Sequence, residues 1–188
     1  MRTHVQVVIV GGGIMGSSLL YHLAKEGWTD CVLVEKAELT SGSTWHAAGL
    51  IAHLSSSMSL AKITSYGIDL LPKLEAETGQ SVSWHGCGGL YLAFTDDEVD
   101  WLTYIVSVCR GLGHPMDIIG PDEIAKLFPF YDLDGVKAAH HTVDDGHVDP
   151  AGSCLAFAAG ARKMGAEIVQ SNRVTNIEAL PGGEWRVV

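Results

Sequence analysis

Residues 5–36, VQVVIVGGGIMGSSLLYHLAKEGWTDCVLVEK, constrain the fold more than any other stretch. VQVVIV (5–10) is a β-branched apolar run of the kind found in a strand buried on both faces. Gly11–Gly13 break it, and residues 14–27 continue with apolar positions at helical spacing until Gly27 stops the helix. CVLVEK (31–36) reads as a second strand. Strand, helix and strand within about 30 residues make a βαβ unit, whose two strands must be parallel and joined by a right-handed crossover.

The turn inside this unit carries chemistry. Gly11, Gly13 and Gly16 match GxGxxG, and Glu35 ends the second strand 19 residues after Gly16. The match is informative because of its setting, after a strand and at the start of a helix. Gly11 permits the tight turn, Gly13 lets the backbone approach a pyrophosphate, and Gly16 lets the helix pack closely on the sheet. The helix N-terminus offers unpaired N–H groups and a positive dipole end to phosphates. Glu35 would accept hydrogen bonds from ribose hydroxyls and repel a 2′-phosphate, which disfavours NADP and leaves both NAD and FAD. Read blandly, Glu35 is a strand-end carboxylate in solvent.

The rest of the chain reads as alternating elements. Residues 57–79 form a long helix that Pro72 should kink or divide. A strand is expected at 88–94, a helix at 96–113 that Asp96 could cap, a short strand at 116–120, and a helix opened by Pro121. Residues 136–142 alternate weakly, as a half-exposed antiparallel strand would. Asp149 and Pro150 fit the cap and first position of a helix over 149–165, and AEIVQ and RVTNIEAL follow as strands. After a turn at Pro181–Gly183 the chain stops inside one more strand, so the reading expects a partnerless strand and the first part of a longer polypeptide.

Composition narrows the partners. Lys and Arg total 12 against 22 Asp and Glu, a net charge of −10, with no basic stripe for nucleic acid. Cys31, Cys87, Cys109 and Cys154 are widely spaced without a CxxC pair, which argues for reduced thiols rather than zinc or disulfides. No apolar run is long enough to span a bilayer. The expected location is the cytoplasm, or the mitochondrial matrix if a presequence has been removed.

Several histidine and aspartate groups invite other readings. His140 and His141 are adjacent on a strand, face opposite sides, and cannot readily chelate one ion with His147. His147 has either a turn role or a place near a substrate cavity. Trp84 and His85 could reach the same side, although a packed edge explains them. Capping accounts for Asp149, and solvent exposure for Asp144 and Asp145. No Ser/His/Asp triad, P-loop or HExxH motif is present.

The stretch GSTWHAAGL, residues 42–50, places one imidazole among small residues that let backbone come close to a ligand. Together with the glycine turn, EKAELTSGS, LEAETG (74–79), GGLYLA (88–93), FPFYDLDGV (128–136) and DDGHVDPAGS (144–153), it resembles the amino-terminal part of the flavin amine dehydrogenases acting on dimethylglycine and sarcosine, within the D-amino-acid-oxidase-like superfamily. The resemblance covers essentially the whole chain.

It implies an α/β fold: a Rossmann-like FAD-binding βαβ domain interleaved with a mixed, largely antiparallel-sheet substrate domain. The corresponding division is residues 1–80 for the first FAD-binding part, 81–145 for the substrate portion and 146–188 for an incomplete return. It further implies FAD joined covalently to His46. Ile14 and Met15 lie at the turn over the pyrophosphate and Glu35 with Lys36 at the adenosine ribose. Gly42, Ser43, Thr44, Trp45, Ala47, Ala48, Gly49 and Leu50 line pyrophosphate and flavin, and backbone at Val174 meets adenine. A neutral imidazole is a suitable nucleophile for the flavin 8α-methyl carbon. The alternative is a hydrogen-bonded loop histidine beside non-covalent FAD.

The implied reaction oxidises the C–N bond of an N-methyl amino acid by hydride transfer. Electrons pass on to an electron-transfer flavoprotein or O2, and tetrahydrofolate enters only if a carboxy-terminal module exists. No catalytic base is identified within these residues. A non-catalytic regulatory relative that keeps the fold, and an NAD-dependent dehydrogenase, are the competing readings.

Overall fold

The computed structural model describes residues 2–188. In chain order its elements are β1 (Val7–Val10), α1 (Ile14–Lys25), β2 (Cys31–Val34), a single 3₁₀ turn (Thr44–His46), β3 (Leu50–Ile51), α2 (Met58–Thr78), β4 (Gly89–Ala93), α3 (Asp96–Arg110), β5 (Met116–Ile119), α4 (Pro121–Leu127), β6 (Ala138–Thr142), β7 (Gly146–His147), α5 (Pro150–Lys163), β8 (Glu167–Val169), β9 (Ile177–Ala179) and β10 (Trp185–Val187). The fold is the mixed α/β arrangement expected from the sequence. Two compact units divide the chain: the first takes 1–49, 71–83 and 148–188, the second 50–70 and 84–147. Helix α2 contributes to both, and Pro72 lies just after the change. It runs unbroken through that proline, which takes one amide out of the helical ladder without ending the helix.

In the first unit, β2 lies between β1 and β8, parallel to both, with Val7 opposite Cys31 and Val32 opposite Glu167. All four residues of β2 are buried, as a central parallel strand requires. Strand β1 departs from the expectation of burial on both faces: among the described residues it is bonded on one side only, and Val10 is exposed. A groove of about 1050 Å³ runs along that edge past Val7, Val174, Ile177, Trp185 and Val188. β10 has a partner after all, pairing antiparallel with β9 through Trp185 and Ala179.

Small residues let α5 approach α1. A Cβ on Gly160 would come within 2.7 Å of the Tyr21 ring and 3.0 Å of the Thr78 methyl. Tyr21 meets Phe157 edge-on at 5.3 Å, and its hydroxyl donates to Glu77 at 2.5 Å. Asp149 and Pro150 start α5 as read from sequence, the Asp149 carboxylate accepting from the Ala151 amide.

In the second unit β6 is the central strand of an antiparallel sheet, between β4 and β5. That position explains why it is mostly buried rather than half-exposed. Ile105, Val106 and Cys109 of α3 pack with Met116, and Ile119, Ile124, Val136 and Ala139 form a second cluster. The cap of α3 is Thr95, not Asp96. The Thr95 hydroxyl accepts from the Glu98 amide while the Glu98 carboxylate accepts from the amides of Phe94 and Thr95. Strands β3 and β7 pair antiparallel, extended by a bridge between His85 and His147.

Candidate nucleotide and flavin site

β1 runs into the glycine turn. Gly11 has φ +111°, a conformation L side chains rarely adopt, and its amide donates to Val34 O at 2.9 Å. A Cβ at Gly16 would lie 2.0 Å from the Gly11 carbonyl oxygen, so only glycine lets the helix sit this close. Gly13 occupies the N-cap of α1 with no side chain to fill the role. The first rung of the helix is Ser17 N–H to Gly13 O at 3.0 Å. Before that rung the amides of Met15 and Gly16 have no intrahelical acceptor and can serve an anion.

Glu35 is buried, and its two oxygens are already in use. Oε2 accepts from Gly12 N at 2.6 Å and Oε1 from Ala37 N at 2.8 Å. Burial pushes its carboxyl up, but the Gly12 and Ala37 amides and the Lys36 charge outweigh that and hold it below the usual carboxylate range. Glu35 therefore braces the turn as an anion. Each oxygen keeps a second lone pair that can accept from a ribose hydroxyl. Lys36 is exposed.

Contacts from three residues, none of those contacts read from sequence, complete the brace. Thr40 N donates to Gly12 O at 3.1 Å, and the Cys154 thiol reaches the same oxygen at 3.5 Å and Ser17 Oγ at 3.3 Å. The third residue is Thr44, whose Oγ1 accepts from Ile14 N at 3.0 Å. The readable signal for it was the glycine at the helix N-cap, which leaves a donor to be satisfied from elsewhere. Nothing local marks Thr40 or Cys154.

Thr44 is buried and begins the 3₁₀ turn that ends at His46. His46 is exposed, and its Nδ1 lies 3.1 Å from Gly42 O. A carbonyl only accepts, so Nδ1 carries the proton and Nε2 keeps its lone pair. The Trp45 and His46 rings are 4.0 Å apart and tilted by 38°. Gly42, Ser43, Ala47, Ala48 and Leu50 are exposed. Gly49, at φ +74°, lies so close to Val148 O that a Cβ would come within 2.2 Å, and its carbonyl accepts from Val148 N. The segment is thus anchored at Thr44 and Gly49 and open between them. Met15 is also exposed, 83% of its surface free beside the turn.

Val174 is not in a strand, because β9 begins only at Ile177; it lies in an irregular connection. That connection is tied to the Glu35 region: Asn172 N donates to Glu35 O and Ser171 N to Ala37 O. Hydrogen bonds therefore bring the glycine turn, Glu35 and Thr44 together, and His46 follows within the same 3₁₀ turn.

The second unit holds a different cluster. Asp145 is 2% exposed, against the expectation of solvent exposure, because Oδ1 accepts from both His53 N and His53 Nδ1 at 3.0 and 2.8 Å. Burial pushes this carboxyl up, and the His53 contacts and nearby Thr142 hydroxyl bring it below its usual range. The His53 ring packs on His114 at 4.3 Å. Ser65 Oγ lies 2.6 Å from both Ala61 O and His114 Nε2. His140 is fully buried with Nε2 against the Met116 sulfur. His85 and His147 are stacked at 4.8 Å. Among the described residues no group of three or more His, Cys, Asp or Glu side chains is placed to hold a metal ion, and no helix is long and apolar enough to cross a membrane.

Known proteins resemble this chain. Residues 6–188 match the DAO family model, described as FAD dependent oxidoreductase. Mitochondrial dimethylglycine dehydrogenase of Rattus norvegicus is 42% identical over 186 residues, covering 99% of this chain and 22% of the relative. A formaldehyde-forming 4-methylaminobutanoate oxidase of Paenarthrobacter nicotinovorans is 37% identical over 94% of this chain and 22% of its own length. The crystal structure of L-proline dehydrogenase from P. horikoshii superposes with a TM-score of 0.89 at 27% identity, covering 96% of this chain and 48% of that one. The chain thus spans about a fifth of the length of these two curated relatives.

Proposed function

This chain belongs to the DAO family of FAD-dependent oxidoreductases, and from that premise we propose that it forms the FAD-binding part of an enzyme that oxidises the C–N bond of a secondary or tertiary N-methyl amino acid. Bound FAD supplies the hydride acceptor; the chain's own residues hold it. Gly11–Gly16 admit the pyrophosphate to the start of α1, where unbonded amides and the helix dipole favour an anion. Glu35, with Lys36 beside it, accepts from the adenosine ribose with the lone pairs left after bracing Gly12 and Ala37. Backbone at Val174 meets the adenine, and the open run from Gly42 to Leu50 lies along pyrophosphate and flavin. Residues 81–145 contribute to the substrate domain, and residues 1–80 and 146–188 to the FAD-binding domain.

One observation supports the covalent reading: His46 is exposed, and its Nδ1 faces the Gly42 carbonyl, which leaves Nε2 free to act as the nucleophile. Bound FAD would present its 8α-methyl carbon to that nitrogen, and attachment would replace one C8α–H bond by an Nε2–C8α bond. Dioxygen would take up the electron pair and two protons released by that bond exchange, as hydrogen peroxide. The names of the rat and Paenarthrobacter relatives both point to N-methylated amino acids, which motivates the substrate class. An electron-transfer flavoprotein or dioxygen takes the electrons of turnover, and tetrahydrofolate enters only with a further module.

The test is to denature the full chain in acid, run it on a gel and look for flavin fluorescence on the protein band. Fluorescence that disappears in His46→Ala supports the reading. A colourless protein that binds NAD instead removes it. The Gly42 hydrogen bond equally suits a histidine beside non-covalent FAD, and a yellow protein whose flavin leaves on denaturation selects that alternative.

A further inference from the structure

Thr44 does more than line a cofactor. Helix α1 has glycine at its N-cap and no local side chain to accept from its first amides. The acceptor comes from 30 residues away, Thr44 Oγ1 at 3.0 Å from Ile14 N. The contact is tight: Thr44 is buried, and a Cβ on Gly13 would lie 3.0 Å from the same oxygen. From Thr44 the chain makes one 3₁₀ turn, closed by Ala47 N to Thr44 O at 3.2 Å, and His46 lies within it. The His46 ring is then fixed through Nδ1 to Gly42 O. Among the described residues no other hydrogen bond ties residues 42–46 to the start of α1, and the second anchor is at Gly49.

We infer that Thr44 is a positioning residue for flavin attachment, its hydroxyl setting the distance between the phosphate-binding helix terminus and the His46 imidazole that must meet the far end of the same cofactor. The inference rests on the covalent reading above. An attacking nitrogen displaced by about 1 Å loses on the order of a hundredfold in rate, so a single tether at the root of the turn can govern attachment without making the bond. A residue that only contacts pyrophosphate would change how tightly FAD binds. Thr44 as a tether changes how fast bound FAD becomes attached.

The experiment uses the full chain prepared without flavin, mixed with FAD in air. Attached flavin is followed with time on denaturing gels over a range of FAD concentrations. Non-covalent affinity is measured separately by fluorescence quenching in a His46→Ala background, and folding by melting temperature. Thr44→Val, which keeps the shape and loses the acceptor, should attach flavin about tenfold or more slowly at saturating FAD, with affinity changed by less than about threefold. Thr44→Ser should stay near the unsubstituted rate. Should Thr44→Val fail to fold, Thr44→Ala is compared with Thr44→Ser in the same way. Attachment at the unsubstituted rate in the variant lacking the hydroxyl overturns the tether. So does a slow rate that recovers fully at high FAD, which makes Thr44 an ordinary binding contact. If the unsubstituted chain attaches no flavin, the covalent reading itself has failed, and that result is told apart because His46→Ala then behaves identically.

Discussion

The two units bury polar groups in opposite ways. In the first, the glycine turn, Glu35, Thr40, Thr44 and Cys154 satisfy one another largely through backbone amides and carbonyls, and close packing is achieved by residues with almost no side chain, such as Gly16 and Gly160. In the second, whole imidazoles and a carboxylate are buried: His53, Asp145 and His140, and His140 Nδ1 has no hydrogen-bond partner among the described residues. The first arrangement leaves chemistry at its surface, where His46 is exposed and Met15 lies open beside the turn. The second places its chemistry where a change in charge acts on stability.

The largest expected effect follows from the buried pair. Asp145→Ala leaves the His53 ring and amide without their acceptor, and breaking a buried pair in this way costs about 3–5 kcal/mol. Denaturant unfolding, with hydrogen exchange assigned to each unit, should place that loss in the second unit. A loss shared equally would break the contrast.

Next is Gly16→Ala. The clash is with backbone oxygen rather than a flexible side chain, so overpacking should destabilise the first unit by about 1–3 kcal/mol. It should also weaken FAD binding, measured by fluorescence titration. Unchanged affinity would remove the close-packing role given to Gly16.

Acid should separate the units without mutation. His114 lies below its ordinary value of 6.5, through burial first and then the charge of His53. His140 is lowered by burial, with His53 and His141 acting in the same direction and Asp145 against it. Asp69, Asp144 and Asp145 oppose the shift at His114, and the Cys109 thiol lies against the His53 carbonyl. A histidine lowered in the folded state leaves the unfolded chain binding more protons, so stability falls as pH drops below 6.5. Asp145, lowered from 3.8, adds a loss of the same sign further into acid. In the first unit Glu35 is lowered from 4.5, so its contribution stays intact until about that pH. Between pH 6.5 and 5 hydrogen exchange should therefore speed up in the second unit first. Earlier opening of the first unit would contradict the assignment.

The smallest effect tests a cap. Thr95→Ala should cost about 1 kcal/mol, confined to α3, whereas Asp96→Ala should change little because its ion pair with Lys137 is exposed. A thermal melt of both variants distinguishes them, and a larger loss at Asp96 would restore it as the cap.

The same contrast explains how much was legible in the sequence. Gly11, Gly13, Gly16 and Glu35 could be read because a glycine turn between a strand and a helix is a local pattern with one geometric meaning. The start of α5 at Asp149 and Pro150 was legible for the same reason. Asp145 was misread because its partner is His53, 92 positions away, and no local spacing carries that distance. Strand β6 looked half-exposed because alternation was weak, while its burial is set by strands on both sides. Thr95 lost to Asp96 by a single residue, the usual uncertainty at a helix boundary, until the reciprocal bonds of Glu98 decided it. For Val174 the strand pattern extended past the hydrogen bonds that exist, since Thr175 and Asn176 donate to Val188 O outside any strand.

The central claim is that His46 carries the flavin, and peptide mapping tests it most directly. The full chain, purified with its native cofactor and digested after acid precipitation, is analysed by mass spectrometry for the peptide spanning residues 42–50. The account predicts that this peptide bears the added mass of FAD, fragmented to His46 and absent in His46→Ala. An unmodified 42–50 peptide, with all the flavin recovered free in the acid supernatant, would contradict it.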